Sequence, residues 1–483
     1  MSAPSERESG DHRRSPPKSA VTVWPVRSSP APAQTPVRTL RYRRILKLGL
    51  PIFGGMASGA LLTLVDTAMV GWLGYAQLAA VGLGSMAAWV YLGFFMGFTI
   101  AVQALVSRRM GEGEGVGEGQ PARAGASLNA ALVLLVVSAP TSAVLLWWAT
   151  PTLFALLNDD PTVLSYGVPY LRWLIAQSLF MGVVYAFNGF WNGISRSHLY
   201  VPALVSMHIA NVLLGYGLIF GNFGLPAMGA EGAGLATFCA SAIGCAIYCV
   251  LAWRFARPYG FLRVWPSRAD YAAVLRLAIP VGFQQLFDTL ALTMMYRVVG
   301  MIGTVEMAAY AVLINLVGFV GLPAFALGTA GATLVSESLG RRDVEAAARW
   351  ARDVLQVGVV LLVLLGLPFL LLPDVVLGLY LQDSAANDVA RTPMRILGGM
   401  IAINGIGYML AAMLNGAGDV KRVTWVNMVT QWLWLLPGAY LLGPIWGFGL
   451  MGVWCMHQFG FRALQSAVFV AIWRRRRWAK VRI

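Results

Sequence analysis

Apolar residues in this chain come in uninterrupted runs of about 20–25, the length an α-helix needs to cross a hydrocarbon core about 30 Å thick. Twelve such segments follow one another, near residues 46–71, 79–107, 125–149, 164–194, 199–221, 232–255, 273–299, 307–338, 348–372, 390–415, 422–442 and 449–473. Open sheets fail in lipid because their edge amides have no partner, and the runs lack the alternation of a β-barrel strand. Composition agrees: 58% of the 483 residues are hydrophobic and 12% charged, against about 25% charged in soluble domains. The expected fold is an all-α integral membrane protein with twelve transmembrane helices.

The net charge of +15 does not point to nucleic acid, because the basic residues concentrate in the two tails and in alternate short loops. Arg108, Arg109, Arg123, Arg196, Arg254, Arg257, Arg263, Arg268, Arg276, Arg341, Arg342, Arg349, Arg352, Lys421 and Arg422 fall on one side. The loops of the other side carry Asp159, Asp160, Asp374 and Asp383 and no Lys or Arg. The positive-inside rule then puts both termini in the cytoplasm, and the expected location is the plasma (inner) membrane. Residues 1–45 read as a disordered basic tail, with seven prolines in the first forty positions and no apolar core of a cleaved signal. Residues 474–483, opening on four consecutive arginines, read as a second basic tail.

The chain repeats itself. At an offset of 229, Pro51 meets Pro280, Gly71 meets Gly300, Gly74 meets Gly303, Leu105-Val106-Ser107 meets Leu334-Val335-Ser336, and Gly111 meets Gly340. Asn192-Gly193 matches Asn415-Gly416 at a slightly shorter offset. Two parallel six-helix halves follow, an N-lobe over 46–256 and a C-lobe over 273–473, joined by a cytoplasmic linker at 257–272. Parallel repeats of this kind enclose a central cavity in transporters.

Asp66 stands alone near the middle of the stretch LPIFGGMASGALLTLVDTAMVGWLG. A charge in hydrocarbon costs about 2.5–3.5 kcal/mol on insertion scales, so an acid kept there marks an ion or substrate path. Desolvation penalises the carboxylate form, which lets such a group take up and release a proton. A structural aspartate capping a neighbouring backbone is the competing reading.

The run LVDTAMVGWLGYAQLAAVGLGS resembles the opening of the multidrug and toxic compound extrusion (MATE) family. So do the proline fifteen residues before the aspartate, NVLLGYGLIFG at 211–221, and NGAGDVKR at 415–422. The likeness covers about residues 45–470 and looks closest to the DinF branch. It implies a V-shaped pair of lobes opening alternately to the two sides, and export of lipophilic, often cationic compounds against protons or sodium. By resemblance, Asp66 matches the family's cation-coupling acid, Pro51 the proline at which the first helix bends, and Asn188 and Asn211 polar residues of the N-lobe cavity. Gly215 stands where many relatives carry a second aspartate. Asp288 matches an acidic C-lobe residue, and its expected partner acid falls on Asn404, an amide.

Other residues carry two readings each. Asn188 and Asn192, four apart on one helix face, suit cavity lining or helix–helix hydrogen bonding. Asp288 has no basic partner close by on its own helix. It is read, with Asn404, Asn192 and Tyr296, as a substrate or second cation site. Met294, Met295 and Tyr296 form a soft patch suited to organic cations. His208 and His457 are isolated, and Cys239, Cys245, Cys249 and Cys455 form no ligand set. GEGEGVGEG at 111–119 reads as a flexible loop. With no P-loop, GxSxG or HExxH, neither ATP drive nor enzymatic chemistry is expected. The reading is a monomeric secondary antiporter that needs no cofactor. Its coupling ion is H+ or, alternatively, Na+, and its partners are amphipathic small molecules and the bilayer. A lipid-linked sugar or phospholipid flippase of the same superfamily is the rival. It is weakened because the first-half helices offer only Arg172 to hold a pyrophosphate.

Overall fold

A computed structural model describes residues 38–115, 121–380 and 384–481. Among these residues every regular element is helical and there is no strand. The order is α1 (Arg38–Gly71), α2 (Tyr75–Gly115), α3 (Pro121–Ala155), α4 (Pro161–Ala176), α5 (Ser178–Gly193), α6 (Val201–Phe220), α7 (Ala230–Phe255), α8 (Arg268–Gly300), α9 (Thr304–Gly340), α10 (Val344–Leu371), α11 (Pro373–Gly378), α12 (Ser384–Gly416), α13 (Val420–Met428), α14 (Leu436–Tyr440), α15 (Gly449–Cys455) and α16 (Leu464–Arg474).

Eight of these helices are long and apolar enough to cross a membrane unaided, and a ninth span is the pair α4 and α5, bent by 42°. The bend falls at Gln177, whose side chain donates to Ser241 of α7 at 2.9 Å. The single run expected at 164–194 is therefore two helices. α8 is a long span of lower apolarity. The last two crossings are helical throughout, but π-helical turns at Val429–Leu435, Leu441–Ile445 and Met456–Ala463 interrupt them. The twelve crossings fall into two lobes; one apolar core is centred on α9, α10 and α12 and takes in Ile45 and Leu48 of α1, and the others are centred on α2 to α7 and take in Val274, Leu277, Ala278 and Val281 of α8.

Helix starts obey local rules. Asp160 accepts from Thr162 N at 2.8 Å with Pro161 at the first position of α4. Ser267 and Asp270 form a reciprocal capping box at α8.

Several sequence boundaries move. α1 begins at Arg38, so residues 38–45 are helix rather than tail; residues 1–37 lie outside the described residues. Arg41 pairs with Asp353 of α10 at 2.8 Å and Arg44 with Glu337 of α9 at 2.8 Å, which anchors the basic start of α1. The extension also moves Asp66 off centre. It lies five residues from the far end of α1, about 8 Å at 1.5 Å per residue.

The C-terminal stretch is likewise not a free tail. Trp478 is fully buried, stacked on Trp473 at 4.1 Å, and Arg476 pairs with Glu345. The linker is short and docked: Asn129 of α3 donates to Gly260 O at 3.0 Å and Val264 O at 2.8 Å, and α8 starts at Arg268, before position 273. The 111–119 loop is helical to Gly115, and 116–119 lie outside the described residues, as does Asp383. Arg391, in the third turn of α12, pairs with Asp374 at 2.5 Å. The face opposite the termini therefore does carry a basic group.

The lobes meet about a pseudo-twofold axis that the repeat announces. Gly49 of α1 packs on Leu327 and Ala326 of α9, while its counterpart Ala278 in α8 packs on Gly97 of α2. On the axis, Gly111 and Gly340 approach so closely that a Cβ on Gly111 would sit 2.0 Å from Glu337 O, and one on Gly340 would sit 2.1 Å from Arg108 O. Gln103 donates to Thr329 O at 2.8 Å and Thr333 at 2.9 Å, Thr333 to Asn192 O at 3.0 Å, and Ser336 to Ala104 O at 2.9 Å. The ion pairs of Arg41 and Arg44 lie at this same Arg-rich end. The seam thus joins the lobes on the side where the described chain starts, at Arg38, and ends, at Val481.

A methyl group at Gly111 has backbone, not a movable side chain, in its way. Gly111→Ala or Gly340→Ala is expected to part the lobes at this end. A cysteine at Ser336, fully buried in the seam, should then become open to alkylation. The control Gly59→Ala, whose Cβ meets nothing within 4 Å, should leave it protected. Protection in all three variants would contradict the close-approach account.

Candidate functional site

α1 is rich in glycine over residues 54–59 and carries Pro51, which removes one backbone hydrogen bond within an otherwise continuous helix. Beyond these, Asp66 projects toward α6. Asn211 Nδ2 donates to both carboxylate oxygens of Asp66, at 3.0 Å each. Asn211 is 3% exposed and Asp66 half-buried. Among the described residues no salt bridge involves Asp66. The Tyr170 hydroxyl, 2.8 Å from Ser85 Oγ, lies within electrostatic reach of it. Asn211 Oδ1 is buried without a partner. The site therefore offers one anion, one donor and one unused acceptor. Gly215, one turn beyond Asn211, lies against the Met69 side chain, which an added Cβ would approach to 3.1 Å. Gly215 thus forms an apolar contact between α1 and α6.

The other sequence candidates are dispersed. Asn188 accepts from Tyr248 of α7 at 2.5 Å. Asn192 is buried at the lobe seam, its Oδ1 without a partner. Tyr296 meets Tyr310 edge-on at 5.3 Å. In the C-lobe, Gln284 lies 3.5 Å from Asp288 and accepts from Thr424 at 3.3 Å. Asn404 donates to Gln458 at 2.7 Å rather than to Asp288, and its Oδ1 is unpartnered. Gln458 touches His457, which stacks on Trp454 at 5.6 Å.

Arg462 is the residue that sequence reasoning missed. It lies in the π-helical turn of the last crossing, within electrostatic reach of Asp288, Tyr310 and His457. Its guanidinium sits over Tyr408 at 4.8 Å and Phe461 at 4.6 Å and donates to Gln465 at 3.1 Å. The signal was available: an arginine in the middle of an apolar run is as costly as an aspartate. Among the described residues no group of three His, Cys, Asp or Glu could hold a metal, and the four cysteines are free.

The MatE family model matches residues 51–217 and again 280–441. The two matches start 229 residues apart, the offset of the internal repeat. A probable multidrug resistance protein NorM of Rhizobium meliloti is 29% identical over 447 residues, covering 90% of this chain and 92% of its own. A NorM of Thermotoga maritima is 24% identical over 421 residues, covering 85% and 88%. The outward-facing structure of a multidrug resistance MATE transporter superposes with TM-score 0.82 at 21% identity, covering 93% of this chain and 99% of that one. A transporter of the MOP superfamily from Pyrococcus furiosus gives TM-score 0.80 at 20% identity, covering 93% and 100%. Fold and matches together define a multi-pass membrane transporter with two six-helix lobes, not an enzyme. The chain belongs to the MATE family.

If Asn211 is the group that holds Asp66, its removal must alter that carboxyl directly. In difference infrared spectra, Asn211→Ala should shift the protonated-carboxyl band that Asp66→Asn eliminates. A band unmoved by Asn211→Ala would show that Asp66 is held by something else.

Proposed function

We propose that this transporter is a secondary antiporter that exports lipophilic, mainly cationic compounds in exchange for protons, by alternating access across the plasma membrane. The observation that carries the proposal is the state of Asp66: a carboxylate inside the first crossing, held by one amide and by no Lys or Arg among the described residues. Such a group is free to exchange its countercharge. A proton and an organic cation compete for it, and each shifts the equilibrium between inward- and outward-open forms only by its differential affinity. When Asp66 takes a proton it becomes a donor. Rotation of the Asn211 amide then brings the unused Oδ1 round to accept. One local event thereby reverses the α1–α6 contact beyond the Pro51 and glycine segment.

The similarity to probable multidrug resistance proteins supports export of drugs. The single carboxylate, with Gly215 in place of a second acid, favours a proton over a metal ion that needs several oxygens. The arginine-rich terminal face supports cytoplasmic termini, and the lobe seam on that face corresponds to a form closed inward.

The reading is tested by uptake of a cationic dye into everted vesicles under an imposed pH gradient or an imposed sodium gradient. Wild type should respond to the pH gradient, and Asp66→Asn should lose nearly all of that response. Drive by sodium alone would overturn the proton assignment. Normal transport by Asp66→Asn would overturn the role of the residue. Movement of a lipid-linked sugar without any gradient would favour the flippase.

A further inference from the structure

Two hydrogen-bonded arms hang from one turn of α13. From Thr424 the chain runs to Gln284 and Asp288 of α8, at 3.3 and 3.5 Å. From Asn427 it runs to Gln465 of α16 and on to Arg462, at 2.8 and 3.1 Å. Thr424 and Asn427 are three residues apart, so they share a face of the helix, and the arms bring an acid and a base of the membrane interior into one cluster. The backbone is shaped for this. The π-helical turns Val429–Leu435 and Met456–Ala463 face each other, and Trp434 Nε1 donates to Gly460 O across them at 2.9 Å. π-helical turns shift the register of a helix and recur at functional positions; here one of them carries Arg462. The guanidinium is confined by Tyr408 and Phe461, and its Nε is buried without a partner.

We propose that Arg462 is a tethered counter-ion: a cation fixed by the protein beside Asp288, which keeps the C-lobe from taking up a coupling ion and confines ion exchange to Asp66. The proposal rests on the antiporter reading and deepens it by naming which of the two intramembrane acids exchanges. Arg462 does not form a direct ion pair with Asp288 among the described residues, so the compensation acts through the intervening amides and over distance, in a medium where screening is weak. A mobile cation entering the cluster would face a fixed charge of its own sign. Among the described residues Asp66 has no such neighbour.

The test uses purified full-length protein in detergent and binding of radiolabelled sodium. It is done in the Asp66→Asn background, so that the N-lobe acid contributes nothing to the signal. Asp66→Asn with Arg462 intact should bind no sodium saturably. Adding Arg462→Gln should create one saturable sodium site, which Asp288→Asn should then abolish. Arg462→Lys, which keeps the charge, should bind none. Monodispersity on size exclusion confirms that each variant is folded; should Arg462→Gln aggregate, Arg462→Met and Arg462→Ala provide the neutral state. Sodium binding with Arg462 intact, or no gain in any folded neutral variant, overturns the proposal. Both outcomes are independent of whether Asp66→Asn transports dye, so the antiporter reading stands or falls separately.

Discussion

A carboxylate in hydrocarbon has to be answered by donors or cations from its own chain, and the way each is answered sorts the acids of this protein by role. Asp353 and Glu337 meet arginines of α1 directly, at 2.8 Å. They tie one lobe to the other. Removing Arg41 would leave the buried Asp353 uncompensated, typically at a cost of about 3–5 kcal/mol, whereas Glu337 keeps a second arginine, Arg341. Asp288 is answered at a distance by Arg462. Asp66 is answered by one amide alone. The less complete the answer, the more readily the group exchanges what neutralises it, and of these four acids Asp66 has the least complete answer among the described residues.

The lobes are held by a second constraint, backbone proximity. Lipid supplies no hydrophobic drive between helices, so association depends on close packing and hydrogen bonds. The contact at Gly111 and Gly340 and the bonds of Gln103, Thr333 and Ser336 supply both at the terminal face. Because the contact lies at one end of the pseudo-twofold axis, rocking of the lobes against each other at this contact would preserve them as bodies and change only the seam. The covalent link between lobes is short and tied to α3 through Asn129, so it moves with the N-lobe.

Much of this architecture was legible in the residues. Run length and the intolerance of lipid for unpaired amides lead to twelve helices, and the 229-residue offset makes Gly111 and Gly340 equivalent positions; that the two touch on the axis is seen only in the structure. Asp66 and its partner Asn211 were both named. What escaped has physical reasons. The bend at Gln177 and the π-helical turns leave hydropathy unchanged, since they alter register and not composition. The helical start of α1 was hidden because Arg41 and Arg44 look like tail residues until their carboxylates on α10 and α9 are seen. Trp478 is one apolar residue among arginines, and no periodicity announces its burial. Arg462 was overlooked although the cost argument used for Asp66 applies to it equally. Asn188, placed in the N-lobe cavity by resemblance, accepts from Tyr248.

The central claim is that cargo and a proton share Asp66, and it is tested most directly by watching the proton leave. Purified protein in weakly buffered detergent solution, mixed with tetraphenylphosphonium under a pH indicator, should release a proton as the cation binds, while Asp66→Asn should release none and Asp288→Asn should match wild type. Cation binding by wild type with no proton released, or release undiminished in Asp66→Asn, would contradict the account.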